Sequence, residues 1–172
     1  MPFSGFDRYP NKVFVETGSY RGDGIQAALD SGFETVISIE IANKYHMFCT
    51  GRFNELLNKK VFLYRGDSSV ILFNVIKTIN EPITFWLDGH WSGDDTGFGF
   101  DRYPLLLELD QIYRHHIKNH TILIDDVRLF NTQWAIGTIE LVKSKILSIN
   151  PQYKFSFENG FVSNDVLVAR VA

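Results

Sequence analysis

The sequence predicts an α/β fold: a doubly wound, largely parallel sheet with helices on both faces and an antiparallel last strand. Three observations lead there. Short apolar runs alternate with amphipathic runs along the chain, the order that builds strand–helix–strand units. Runs such as Thr121-Ile122-Leu123-Ile124 are apolar without alternation, which fits strands buried on both faces. The chain closes on two strand-like runs around Asn159-Gly160, a hairpin signature.

Taken in order, residues 12–18 read as the first strand and 22–31 as its helix. Residues 35–40 form the second strand. Residues 42–57 are helical, with Tyr45, Phe48, Phe53 and Leu56 near one face. Residues 61–67 form the third strand and 69–79 a helix that Ser68 can cap. Residues 83–88 form the fourth strand, followed by a glycine- and aspartate-rich loop over 89–102. Residues 103–116 are helical, with Pro104 tolerated in the first turn. Residues 120–126 form the fifth strand, 134–147 a helix, and 153–158 with 165–171 the closing hairpin.

At 172 residues, 45% hydrophobic and 15% aromatic, the chain suits one domain with a real core, and no linker divides it. Residues 1–172 are therefore read as a single domain. The formal charge is −3 with no basic block, which argues against a nucleic-acid partner held through its phosphates. No apolar run approaches the roughly 20 residues that span a bilayer. Residues 1–10 do not read as a signal peptide. The single cysteine, Cys49, excludes an internal disulfide and fits a reducing, cytoplasmic setting. Its helical context suggests a core or half-buried thiol, not a nucleophile.

The segment Val13-Phe14-Val15-Glu16-Thr17-Gly18-Ser19-Tyr20-Arg21-Gly22-Asp23-Gly24 carries the strongest functional signal. An apolar strand stops at an acid, a glycine-rich turn follows, and a helix begins. Glycine brings backbone close to a ligand, and the helix start presents free N–H groups. A dinucleotide loop would show G-x-G-x-x-G. Here the pattern is Glu16-x-Gly18-x-x-x-Gly22-x-Gly24, and its acid would repel a pyrophosphate. It suits a ligand carrying an amine and a sulfonium. The plain alternative is a strand-to-helix turn with no ligand.

Ligands of open parallel sheets bind at the carboxyl ends of the strands. Those ends are acidic: Glu16, Glu40, Asp67, Asp88, and the pair Asp125 and Asp126. A carboxylate at Glu40 can accept from both hydroxyls of a ribose, which serves NAD and S-adenosylmethionine (SAM) alike. Asp67 can serve a ligand or cap the next helix. Neighbouring strands would bring Asp88, Asp125 and Asp126 together. Three such carboxylates repel one another unless a hard divalent cation such as Mg²⁺ lies between them. Asp94 and Asp95, in the loop, are expected in solvent. His90 can be a general base, a metal ligand, or a loop hydrogen-bonding residue. His115, His116 and His120 read as a solvated helix end, and no Cys/His spacing suggests zinc. One oddity is an identical hexapeptide: Gly5-Phe6-Asp7-Arg8-Tyr9-Pro10 recurs as Gly99-Phe100-Asp101-Arg102-Tyr103-Pro104. Coincidence and two flaps over one site are both open.

Together the glycine turn, Glu40, Gly66-Asp67-Ser68, Leu87-Asp88-Gly89-His90 and Ile124-Asp125-Asp126 resemble a class I SAM-dependent methyltransferase. The last two segments resemble those of the macrocin group, which methylates sugar hydroxyls with a divalent metal held by L-D-G-D and I-D-D-Y segments. The resemblance runs from about Val13 to Phe130. It implies a seven-stranded, Rossmann-like sheet. It implies SAM over Gly18, Ser19 and Gly22, with Glu16 near its amino-acid end, Glu40 and Ile41 at the ribose, Asp67 or Ser68 at the adenine, and Asp88 beside the cofactor. Asp88, Asp125 and Asp126 would hold Mg²⁺ or another divalent cation, and Asp88 or His90 would take the proton. Two positions depart from the group: His90 replaces its second acid and Val127 its tyrosine. The larger relatives' extra N-terminal helices and lid are not expected in this stretch of sequence.

The expected activity is O-methylation of a sugar or glycan-like small molecule, on which Trp91, Phe98, Phe100 and Tyr103 could stack. An NAD-dependent oxidoreductase and a non-catalytic SAM- or nucleotide-binding module are the alternatives. A homodimer is an open expectation, and neither nucleic acid nor membrane is expected as a partner.

Overall fold

The strands form where β-branched and aromatic residues run together, and each of the first six ends at or just before a glycine or an acid. In the computed structural model, which describes residues 3–91, 93, 96–130, 132 and 137–171, these are β1 (Val13–Thr17), β2 (Thr35–Glu40), β3 (Val61–Arg65), β4 (Ile83–Leu87), β5 (Thr121–Ile124), β6 (Tyr153–Glu158) and β7 (Val166–Val171). They make one seven-stranded sheet in the order β3-β2-β1-β4-β5-β7-β6. The pairs from β3 across to β5 are parallel, and β7 runs antiparallel to both of its neighbours. The chain winds outward from β1 to β3, then returns to the other side of β1 with β4. The crevice at that reversal, between the carboxyl ends of β1 and β4, is where an open α/β sheet takes its ligands.

Side chains alternate across each strand, so double burial gives two cores. Val13 and Val15 of β1 join Ile83, Phe85 and Leu87 under α3 (Ser68–Ile76), α4 (Leu105–Arg114) and α5 (Ile139–Ile149). Phe14 and Trp86 face the other way, toward α1 (Asp23–Asp30) and α2 (Asn43–Arg52). There the N-terminal segment completes the cover. Phe3 stacks on Trp86 at 5.3 Å, and Phe6 meets Phe14 and Trp86 edge-on at 4.8 and 5.2 Å. Thr84 fastens this segment by donating to the Tyr9 carbonyl and accepting from Asn11.

Several helix boundaries differ from expectation. α2 stops before Phe53, and a short 3-10 turn over Asn54–Leu56 follows. Tyr45, Cys49 and Phe53 are buried, whereas Phe48 points to solvent. Burial pushes the Cys49 thiol up to about 12, which agrees with an inert core residue. Asp67, not Ser68, caps α3, because its carboxylate accepts from the Ser69 amide at 2.9 Å. α5 begins at Ile139 under a Thr138 cap and runs on to Ile149. The Trp134–Ile136 part of the expected helix lies outside the described residues, as do Asp94 and Asp95. No helix of the described residues is long and apolar enough to cross a membrane.

The largest correction concerns the histidines. His116 is exposed, but His115 and His120 are fully buried, at the end of the sheet opposite the crevice. The Ile83 amide donates to His120 Nδ1 at 3.1 Å, so His120 carries its proton on Nε2. That proton faces His115 Nδ1 at 3.1 Å, and His115 Nε2 donates to the Ile76 carbonyl. The chain of bonds satisfies two neutral rings and leaves no place for a third proton. Burial holds both rings below the usual histidine range, His120 at about 3. The unfolded chain binds protons at these residues below about pH 6.5, and the fold does not. Their stabilising contribution is therefore complete above about pH 6.5 and declines as pH falls toward 3. Between pH 7.5 and pH 5 the stability of the wild type relative to His120→Asn should fall as the pH drops, with a limiting slope of about 1.4 kcal/mol per pH unit. A difference that did not change with pH would contradict the assignment.

Candidate functional site

A cavity of about 540 Å³ opens at the predicted crevice, over the carboxyl ends of β1 to β4. Its floor depends on Gly18. This residue has φ 86°, and a Cβ on it would stand 2.5 Å from the Asp88 carbonyl oxygen. The ends of β1 and β4 can approach this closely only over a glycine, and the Asp88 amide then bonds to the Thr17 carbonyl. Gly22, also at positive φ, starts α1 and packs on Phe53 and Cys49 away from the cavity.

Two expected ligand acids line the cavity with their geometry set by backbone. Glu40 accepts from the Tyr20 amide at 2.9 Å and the Ala42 amide at 2.7 Å, one on each oxygen. Each oxygen keeps a lone pair for a ligand hydroxyl. Asp67 caps α3 through one oxygen and accepts from the Phe100 amide at 2.7 Å through the other. The loop carrying Phe100 thus lies across the cavity. A Cβ on Gly97 would strike Ile41, and one on Gly99 would strike Asp67, so both glycines let the loop close in. Ile41 and Ser68 also line the cavity.

Glu16 and Ser19 are not among the described lining residues. Glu16 is 2% exposed and turned behind the glycine turn, where the Ser38 hydroxyl donates to it at 2.5 Å and Ser19 bonds to Ser38. A Cβ on Gly24 would collide with its carboxyl, which accounts for the third glycine of the motif. Burial pushes Glu16 up to about 8, despite the Ser38 bond, so it is mostly neutral at pH 7. Its place beside a ligand's amino group is not what this geometry offers.

At the ends of β4 and β5 the acids meet cations of the chain itself. The His90 ring stands between two carboxylates, with Nδ1 3.3 Å from Asp88 and Nε2 3.0 Å from Asp126, and Tyr103 stacks on it at 5.5 Å. Burial alone would lower this ring, but the bonds to Asp126 and Asp88 push it up to about 10. An imidazolium with both protons donated has no lone pair, so here His90 acts as a donor and not as a base. Asp126 sits at φ 58° and also pairs with Arg128 at 2.5 Å. Burial works against it, yet His90 and Arg128 hold it below the usual carboxylate range. Arg128 continues to Asp165. Asp88 is raised by burial, and Asp125 by burial together with Asp88 and Asp126, to about 7.

Potential metal-ligating atoms fall into two groups among the described residues, each within 4.8 Å: Asp88, His90 and Asp126, and Asp125, Asp126 and Asp165. The expected trio of Asp88, Asp125 and Asp126 is therefore divided, with Asp126 shared between the two groups. The donor types suit a divalent cation. The hexapeptide copies do not form two flaps. Gly99, Asp101 and Pro104 line the cavity, whereas the Gly5–Pro10 copy is absent from its described lining and buries Phe6 beside β1 and β4.

The sequence reading missed Ser38, Arg128, Glu108 and Gln111. A signal existed for the last two: Glu108, Gln111 and His115 fall at i, i+3 and i+7 among the apolar Leu109 and Ile112 of α4.

No protein-family model and no curated protein matches this chain. Solved structures do match its fold. The O-methyltransferase of Bacillus cereus in complex with S-adenosylhomocysteine (SAH) aligns with TM-score 0.66 at 12% identity, over 94% of this chain and 74% of that one. TomG of Streptomyces achromogenes, an O-methyltransferase of tomaymycin synthesis in complex with SAM, aligns at 0.63 and 12%, over 97% and 76%. SMU.1697c of Streptococcus mutans, described as a methyltransferase and in complex with SAH, aligns at 0.61 and 10%, over 97% and 93%. The chain thus has the fold of SAM-dependent methyltransferases.

The close approach at Gly18 gives a direct test. Gly18→Ala must shift the end of β4 and hold an alanine at positive φ, a cost of about 1–3 kcal/mol. Chemical denaturation should show that loss, and unaltered stability would mean the two strand ends are not so tightly joined.

Proposed function

We propose that the protein is a SAM-dependent O-methyltransferase acting on a hydroxyl of a sugar or glycan-like small molecule with a divalent cation. The observation that carries this reading is the charge of the cavity. Glu40, Asp67, Asp88 and Asp101 line it, and no lysine or arginine stands among its described lining residues. Such a lining favours a sulfonium and an ammonium and repels a pyrophosphate. SAM meets that requirement and NAD does not. The fold likeness supports the same choice.

On this reading Glu40 takes the ribose hydroxyls, and Asp67 and Ser68 stand at the adenine. When bound, SAM would supply the methyl group, and Asp88 lines the same cavity. The acceptor enters beside Trp91, Phe98 and Tyr103, where Arg102 already packs over Trp91 and Phe98. Asp88, raised by burial, would take the proton of the acceptor hydroxyl as its oxygen bonds to the methyl carbon and the carbon–sulfur bond breaks, leaving SAH. His90 holds Asp88 and Asp126 apart and aimed, which fixes the direction of approach. Asp88, Asp125 and Asp126 are the proposed oxygen ligands of the cation; His90, with both ring nitrogens donating to Asp88 and Asp126, is not among them. When bound, the cation supplies a Lewis acid that makes the hydroxyl more acidic.

Calorimetric titration with SAM and with NAD, each with and without Mg²⁺, tests the proposal. SAM should bind and NAD should not. Binding of NAD alone would turn the reading toward an oxidoreductase. Glu40→Gln should weaken SAM by about tenfold or more, since a hydrogen bond to a charged group contributes about 1.5–3 kcal/mol. Undiminished affinity would remove Glu40 from the site.

A further inference from the structure

The turn that carries Asp67 and Ser68 lies at the edge of the sheet. It follows β3, the outermost strand on this side, whose last residues are exposed. An edge strand is a poor anchor for a ligand site. Besides the Gly66 amide bond to the Glu40 carbonyl and the Phe100 amide bond to Asp67, the neighbouring helix holds the turn through two polar side chains buried in the apolar layer between α3 and α4. Glu108 is 1% exposed and accepts from the Ser68 hydroxyl at 2.5 Å. Gln111, one turn later, sits astride the first turn of α3. Its Nε2 donates to the Ser68 carbonyl at 2.9 Å and to the Ser69 carbonyl, and its Oε1 accepts from the Phe73 amide at 2.7 Å.

Glu108 also reaches the rest of the floor. A Cβ on Gly89 would stand 3.0 Å from its Oε1, 3.2 Å from the Thr17 hydroxyl and 3.3 Å from the Ser68 hydroxyl. The ends of β1 and β4 and the start of α3 thus converge on one carboxyl group. The buried Thr17 hydroxyl faces the same carboxyl group. Apolar side chains of similar size would pack this layer without the cost of desolvating a carboxyl and an amide. Packing alone therefore does not account for the pair. Registering Asp67 and Ser68 against the sheet does.

We propose that Glu108 and Gln111 of α4 are positioning residues for the adenosine half of the cofactor site, setting Asp67 and Ser68 without touching the ligand. The inference rests on reading the cavity as a SAM site. Its test compares SAH and adenosine as calorimetric ligands of the full chain. Gln111→Met should weaken both by the same factor, about tenfold, as expected for one net buried hydrogen bond. The isosteric Glu108→Gln should weaken both in the same direction by less. Leu109→Ala, in the core on the same helix, should destabilise the protein yet leave both affinities of the folded form within about twofold. Equal binding by the Gln111 and Glu108 variants and the wild type would overturn the inference. So would a loss matched by Leu109→Ala, or a loss confined to SAH. A wild-type protein that bound neither probe would overturn the SAM reading itself, and this inference with it.

Discussion

The structure turns on the gathering of carboxylates, several of them buried, at one end of the sheet. A parallel sheet directs the ends of its strands toward one edge, and in this chain those ends carry Glu16, Glu40, Asp67, Asp88, Asp125 and Asp126. Four of them show distinct remedies. Glu40 spreads its charge over two backbone amides. Asp67 takes a helix cap and a loop amide. Asp126 is held between His90 and Arg128. Glu16 withdraws behind the glycine turn and keeps its proton at neutral pH. The remedies account for much of the local architecture. They bear on where the loop crosses the cavity and on why Gly24 has no room for a side chain.

The same logic runs through α4 in another form. One face of this helix, continued to its C-cap, places Glu108, Gln111 and His115 in line, and all three bond to α3: Glu108 and Gln111 at its first turn, His115 at the Ile76 carbonyl at its end. At its start the helix holds the turn after β3, and at its end it joins the buried histidine pair below β4 and β5. A polar line through an apolar layer is costly unless every group is matched. Here the matches tie the ligand-binding edge of the sheet to its opposite edge.

Much of this was legible in the sequence because it depends on period and order. The alternation of runs specified the sheet, and the acids at the ends of apolar runs marked the cavity edge. Glu40 and Asp67 could be placed from their distance along the chain, since the strand end carries its residue with it. Other features depend on where a side chain turns, which spacing does not encode. Glu16 ends a strand like its neighbours, yet Ser38 on the adjacent strand draws it inward. His115 and His120 close a helix and open a strand, and only the packing of β4 beside them supplies the amide that neutralises one ring. The histidine in place of a second acid after Asp88 was visible as a departure. That it inserts a positive charge between two carboxylates required both strand ends in space.

The repeated hexapeptide makes this concrete. Its first copy forms a 3-10 turn and buries Phe6 completely among Phe3, Phe14 and Trp86. Its second copy, which contains no helical turn, leaves Phe100 85% exposed at the cavity rim. The six letters are the same; the neighbours supplied by distant parts of the chain are not. Within one molecule, then, a shared string transfers neither conformation nor surroundings. A role passes from one protein to another with the arrangement of the site, and a matching word in the sequence is only an invitation to look for that arrangement.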